Sequence, residues 1–356
     1  MTSKVAGNVS SKVMRVAIAG ASSLAGKELS DALSDSPLGA ASFTLLDDEQ
    51  TSGRVAAAGD EISFIQKMEG SLLAGMDLVF FTGEPEEAKK YGAAAIRAGA
   101  SVVDMTGGLE GMRGVLVRSP WIRGGGGGDE AARAPTLETT AVVPAHAAAV
   151  MLAMVASRLQ AKFAVRSMAA TLLLPASEFG RGGMDELHQQ TVSLLSFQSV
   201  PREQYGTQVA FNLARSSGEG AKVRVEAVEE RVKAHFGGLM GKGGPELALH
   251  AAHAAVFHGY VASVWVELES ATGVAAVEEA LAGELIEVMM AEAEAEAPDN
   301  LTATGQQAVL VSVGAAGGAG TRFGLWMAAD NLQLGAANAI ACALELVALR
   351  PTSEIQ

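Results

Sequence analysis

One cysteine, Cys342, stands among 356 residues. No internal disulfide can form, and the chain suits a reducing compartment. Cations are in deficit, with 26 Lys+Arg against 40 Asp+Glu and a formal charge of −14. That balance argues against a nucleic-acid footprint or attachment to an anionic membrane. Charged residues make up only 19% and hydrophobic ones 49%, too much apolar surface for a disordered chain. The opening MTSKVAGNVSSKV has no apolar h-region, so no secretory leader is read and the cytoplasm is the expected location. An uncharged stretch of near-spanning length runs from Thr139 to Ser157. It contains Pro144 and His146 and leans on alanine; it reads as a buried strand entering a buried helix, not as a membrane span.

The length suggests roughly two domains. Val13–Gly20 reads as a buried strand, and residues 24–34 follow with Leu24, Leu29 and Leu33 at helical spacing. Strands are expected again at Ser42–Asp48, Asp77–Thr82 and Ser101–Met105, with PEEAKKYGAAAIRAG as a helix between the last two. Such alternation implies a parallel sheet with right-handed crossovers. The expectation is therefore an α/β, Rossmann-type dinucleotide-binding domain over residues 1–145. The second half reads as α+β. It offers a strand at Ala164–Ala176, helices at Met184–Phe197 and Val225–Leu239, and long β structure over His250–Glu269. Val274–Ala297 reads as a helix, Val309–Val313 and Arg322–Ala328 as strands, and 333–349 as a closing helix. Five glycines at Gly124–Gly128 read as a surface loop.

Four groups of residues could carry chemistry. GASSLAG, Gly20 to Gly26, sits at a strand-to-helix turn that could receive a pyrophosphate on its backbone N–H groups. The alternative is a tight turn that binds nothing. Asp47-Asp48-Glu49 ends the next strand, where an acid favours a ribose diol and repels a 2′-phosphate. His250, His253 and His258 lie close in sequence, but alternation along a strand separates their faces, so no metal site is read. Cys342 lies among Ala339, Ala343 and Leu346 at helical spacing, which suits a small core residue better than a nucleophile.

Several stretches resemble the aspartate-semialdehyde dehydrogenase family: VAIAGASSLAGKEL, DLVFFTGEPEEAKKYGAAAIRAGASVVDMTG and FGLWMAADNLQLGAANAIACALELV. Asp330-Asn331-Leu332 with Gly335-Ala336 resembles that family's entry into its last helix, and the resemblance spans nearly the whole chain. It implies a cofactor domain over 1–145 completed by the helix at 332–350. It also implies an α+β substrate and dimerisation domain over 146–331, and a homodimer. The dinucleotide, NAD or NADP, would be held by Gly20, Ser22, Ser23, Leu24, Ala25, Gly26, Asp47 and Asn331. NAD would be favoured, since Gln50 stands about where the family's arginine for the 2′-phosphate would be.

The family oxidises an aldehyde through a cysteine thioester, with a histidine as acid/base, a glutamine near the thiol and an arginine on the substrate. Val143-Pro144-Ala145-His146 resembles its N-P-N-C, which puts His146 at the nucleophile. Residues 174–180, LPASEFG, resemble its Q-A-x-S-G-x-G, which puts Leu174 at the glutamine. By the same carry-over His253 replaces the arginine and Tyr260 the histidine. The pattern is similar to the Usg-like branch, which also lacks the cysteine. The expected function is a homodimeric paralogue that has lost the thioester chemistry and keeps residual dinucleotide binding, with a related biosynthetic enzyme as a candidate partner. The alternatives are the family's ordinary activity or altered acid/base chemistry in the same cleft. Leu174 and the alanines around His146 and His253 suggest a cleft closed by hydrophobic filling.

Overall fold

The computed structural model describes residues 13–58, 61–122, 134–289 and 297–349. Its first half is built on β1 (Arg15–Ala19), β2 (Ser42–Asp47), β5 (Gln66–Lys67), β6 (Leu78–Phe81), β7 (Ser101–Asp104), β8 (Val115–Arg118) and β9 (Ala141–Pro144). They form a parallel sheet in the order β5-β2-β1-β6-β7-β9-β8. The central strands β1 and β6 are apolar runs without alternation and are buried on both faces, because helices cover each side of a parallel sheet. Helix α1 (Leu24–Ser34) turns Leu29 and Leu33 inward. Its N-cap Ser23 accepts from the Gly26 N–H, meeting one of the orphan donors of a first turn. Helix α2 (Pro85–Arg97) has Pro85 at its start, Glu86 and Glu87 in the first turn and Arg97 in the last, all matched to the helix dipole.

The second half is a mixed seven-stranded sheet. It comprises β10 (Val165–Leu174), β11 (Leu213–Ala214), β12 (Glu246–Ala254), β13 (Tyr260–Leu268), β14 (Ile286–Val288), β15 (Val309–Ala315) and β16 (Arg322–Ala329), in the order β11-β12-β10-β13-β16-β15-β14. Along β10, Met168, Ala170, Leu172 and Leu174 are buried while the residues between them are more open, so one face packs and the other looks outward. The packed face lies on α3 (Ala147–Gln160), buried continuously from Ala147 to Ala156. Helices α5 (Val225–Met240) and α6 (Val274–Leu281) cover α3 from outside. Residues 139–157 are thus a buried strand and a buried helix, as their alanine-rich composition suggested. Among the described residues, the helix long and apolar enough to cross a membrane is instead α8 (Asn331–Ala348), which follows the short α7 (Asn300–Ala303), and it packs on α1 and the first sheet. Arg118 on β8 grips Glu345 of α8 with two bonds of 3.0 and 2.8 Å.

Two elements differ from the sequence reading. His250–Glu269 is two strands, with β10 running between them parallel to β12 and antiparallel to β13. The helix begun at Val274 stops at Leu281, where Ala282 is extended and Gly283 and Leu285 have positive φ, and the chain enters β14. Most of the AEAEAEA run, and Gly124–Gly128, lie outside the described residues. The hairpin of β3 (Val55–Ala58) and β4 (Glu61–Phe64), as well as β8, went unread.

Candidate functional site

A cleft of about 850 Å3 opens between the two sheets. Its first wall is the turn after β1. Gly20 has φ +85° there, and a Cβ on it would lie 2.2 Å from the Gly83 nitrogen, so only glycine allows the two loops to close together. The Ser23 hydroxyl donates to the Thr82 carbonyl at 2.8 Å. Leu24 and Ala25 line the cleft with N–H groups that have no acceptor within a helix. The Ser22 N–H donates to one Asp47 oxygen at 2.6 Å, and the Asp48 N–H to the other at 2.8 Å. This wall carries Asp47, Asp48, Glu84 and Glu87 and, among the described residues, no lysine or arginine. Burial, then the charges of Asp47, Glu84 and Asp48, raise the Glu87 carboxyl above its ordinary value.

The turn fits a dinucleotide: a glycine cradle and a helix N-terminus for the pyrophosphate, an acid for the ribose. Gly20, Ser22, Ser23, Leu24, Ala25, Asp47 and Asn331 all line the cleft. Gly26 does not. It is packed behind the turn, where a Cβ would meet the Gly20 carbonyl at 2.4 Å.

The opposite wall is set by three chain entries. His146 caps α3, its Nδ1 accepting from the Ala148 N–H at 3.2 Å. Glu178 lies in the 3-10 turn Ala176–Phe179 that leads into α4 (Gly180–Leu195). Tyr260 begins β13. The Glu178 carboxylate joins them: one oxygen takes the His146 Nε2 at 2.8 Å and the other takes the Tyr260 hydroxyl. Burial alone would raise the Glu178 carboxyl. The His146 charge interaction and hydrogen bond, then the Tyr260 bond, outweigh it and hold the group below its ordinary value. Burial, with Glu178 beside it, pushes the Tyr260 phenol well up.

Behind His146, its own N–H donates to His235 Nδ1 at 2.8 Å, and His235 Nε2 meets Glu110 at 3.0 Å. Glu110 also pairs with Arg231 at 3.3 Å. Beside Glu178, Ser177 donates to Asn331 at 3.0 Å. Arg181, Lys222 and Arg231 line this wall, so the cleft is acidic at the turn and basic at its far end.

The structure brings His146 and Tyr260 together, their rings stacked at 6.3 Å, and leaves two of the carried-over positions outside. Leu174 is wholly buried in the second core and does not line the cleft. His253 is 1% exposed, with its ring against Phe179 and Tyr205 at 5.5 and 4.5 Å. On β12 it points into the packed face, away from the cleft. The expectation of a hydrophobically filled cleft is corrected as well: Leu174 packs behind it, and Ala145 and Ala147 line an open space together with charged side chains. Among the described residues no cluster of His, Cys, Asp and Glu could hold a metal. Cys342 is buried in α8, and burial raises its thiol well above the ordinary value.

Sequence reasoning missed Glu178, Glu110, Arg231 and His235. Only Glu178 left a signal, as an acid where the motif resembled in LPASEFG has glycine.

The family model for the semialdehyde dehydrogenase dimerisation domain matches residues 157–334. A USG-1 protein homolog of Pseudomonas aeruginosa is 27% identical over 330 residues, 92% of this chain and 95% of that one. An aspartate-semialdehyde dehydrogenase of Rickettsia bellii is 24% identical over 343 residues, covering 94% and 98%. The solved structure of a probable aspartate-semialdehyde dehydrogenase from Pseudomonas aeruginosa superposes with a TM-score of 0.82 at 25% identity, covering 94% of this chain and 99% of that chain.

Proposed function

The chain belongs to the semialdehyde dehydrogenase family, and from that premise we propose that it is a homodimeric, cytoplasmic member that holds a dinucleotide but does not run the family's thioester chemistry. One observation carries this reading. The helix N-terminus facing the cleft, where the resemblance puts the cysteine, is capped by His146, whose imidazole is spent on the Ala148 N–H and Glu178. Tyr260, at the resembled acid/base position, is spent on the same carboxylate. These three groups satisfy one another, and Cys342 cannot replace the missing thiol without leaving the core of the first half. Covalent aldehyde oxidation needs an activated nucleophile with a base in reach.

NAD fits better than NADP, because Asp47 and its acidic neighbours would face a 2′-phosphate. A second copy would pack on the outer face of the second sheet, where Trp265 and Trp326 are 54% and 40% exposed. A related biosynthetic enzyme remains the candidate partner. The test is reduction of NAD and NADP by purified protein supplied with aspartate semialdehyde and phosphate. No turnover is expected from folded protein; turnover comparable to an ordinary dehydrogenase would refute the reading.

A further inference from the structure

One face of the second sheet is packed on α3, and the dimerisation-domain match covers every strand of that sheet. The face left for a second copy is the outer one. Strand registers set His250, Thr171, Ser263, Trp326 and Ser312 in one row across β12, β10, β13, β16 and β15. In the next row Ala169 and Ala248 leave a dent of about 200 Å3 centred on β10, bounded by Thr171, His250 and Trp265. A third row carries charge: Glu246, Glu267 and Arg322, with Arg166 and Arg322 both paired to Glu267 at 3.7 and 3.4 Å. At the opposite end Ala303 of α7 packs on Leu310 and Ala328. Between that charged row and α7, His250 is the one ionisable side chain that these five strands set on the outer face.

The row is symmetric about Ser263. Two sheets stacked under a two-fold have the axis in the plane between them, and each copy presents the same patch. With the axis along β13, β16 and β10 lie one strand, about 4.8 Å, to either side of it. Trp326 of one copy then lies over the dent of the other, the two Trp265 rings meet at the axis, and His250 faces the partner's Ser312. The Trp326 indole is already fixed for this role, its N–H donating to the Pro298 carbonyl at 2.8 Å.

No acid is free to compensate a charge on His250 there. Across β12, β10 presents Thr171 and β11 presents Leu213 near the strand's end. Glu229 of α5 accepts the Ala251 N–H at 2.9 Å, but Lys233 and Arg215 already meet its charge at 2.6 and 3.0 Å. Glu246 is four residues back, about 13 Å along the strand.

Resting on the proposal that a second copy packs here, we infer that the dimer is controlled by pH: each Trp326 fills the other copy's dent, His250 is covered without a counter-charge, and protonation of the imidazole loosens the interface. An imidazole in water takes its proton near about pH 6.5, and burial without a partner favours the neutral form. The separated chains therefore bind protons that the dimer excludes. The dimer has its full strength above about pH 6.5 and loses it as pH falls.

The test is sedimentation equilibrium of the full chain at pH 7.5 and pH 5.5, with circular dichroism at both to confirm the fold. The dimer dissociation constant should rise at least about tenfold at the lower pH. His250→Gln, a change at an exposed site of the single chain, should dimerise at both pH values with a change of less than about threefold. Trp326→Ala should weaken the dimer at least about tenfold at pH 7.5. A wild-type dimer equally tight at both pH values would overturn the inference and leave the second copy on this face, as would a His250→Gln dimer that still loosens. A dimer indifferent to Trp326→Ala would overturn the register. A wild-type chain that is monomeric at pH 7.5 would overturn both readings.

Discussion

His253 offers a stability experiment whose sign and size follow from its surroundings. Its ring lies between Phe179 and Tyr205, and neither nitrogen reaches a hydrogen-bond partner of normal geometry. Burial pushes its pKa from 6.5 down to about 4. With the folded-state value depressed, the unfolded chain binds the extra proton first. The folded state thus has its full stability above about pH 6.5 and loses it progressively towards about pH 4. The shift of about 2.5 units corresponds to about 3 kcal/mol. His253→Phe keeps a flat aromatic side chain in the same slot and removes the titration.

Urea unfolding of both proteins from about pH 7.5 to about pH 4.5 should give a difference curve that rises as pH falls. The variant should gain about 2.5 kcal/mol on the wild type over that span. His235, whose pKa is also lowered, first by burial, titrates in both proteins and cancels in the difference. A flat difference curve would mean that His253 is solvated or bridged by groups that accept its proton, and would refute the reasoning.

Other tests address the cleft and the sheet. Asp47→Asn should narrow the preference for NAD over NADP by about tenfold, read from the two dissociation constants; an unchanged ratio would remove Asp47 from cofactor choice. Trp265→Glu with Trp326→Glu should shift the sedimentation of a dimer to that of a monomer at micromolar concentration, and a double variant that stays dimeric would place the interface elsewhere.

Much of the fold was legible because it rests on short-range patterns. Helix α1 was read with the bounds it has, since Leu24, Leu29 and Leu33 keep helical spacing and Ser23 caps it. The β3–β4 hairpin escaped because VAAA has almost no alternation to read and its partner strand carries exposed Ile62 and Phe64. The Val274 helix was read too long because alanine and glutamate suit a helix wherever they stand, while the residues that end it, Gly283 and Leu285, act through backbone conformation. At the site, His146 and Tyr260 could be placed by resemblance to a motif. Their joining by Glu178 could not, since it depends on a turn after β10 meeting the starts of α3 and β13. His253 shows the converse: a register pairing with Leu174 turns its ring into the core, and no local pattern announces which face of β12 that is.

The return of α8 to the first sheet has a consequence for synthesis. Ala336, Ala339, Ile340, Cys342, Ala343 and Leu346 share one core with β1 and α1, and Gln333 bonds to Glu28 across 305 residues of chain. As the polypeptide leaves the ribosome, the first half therefore waits, with an apolar flank uncovered, until the whole second half has emerged. Each newborn chain passes through a long stage in which that flank is open to chaperones, to neighbouring chains on the same message, and to nothing else that belongs to it.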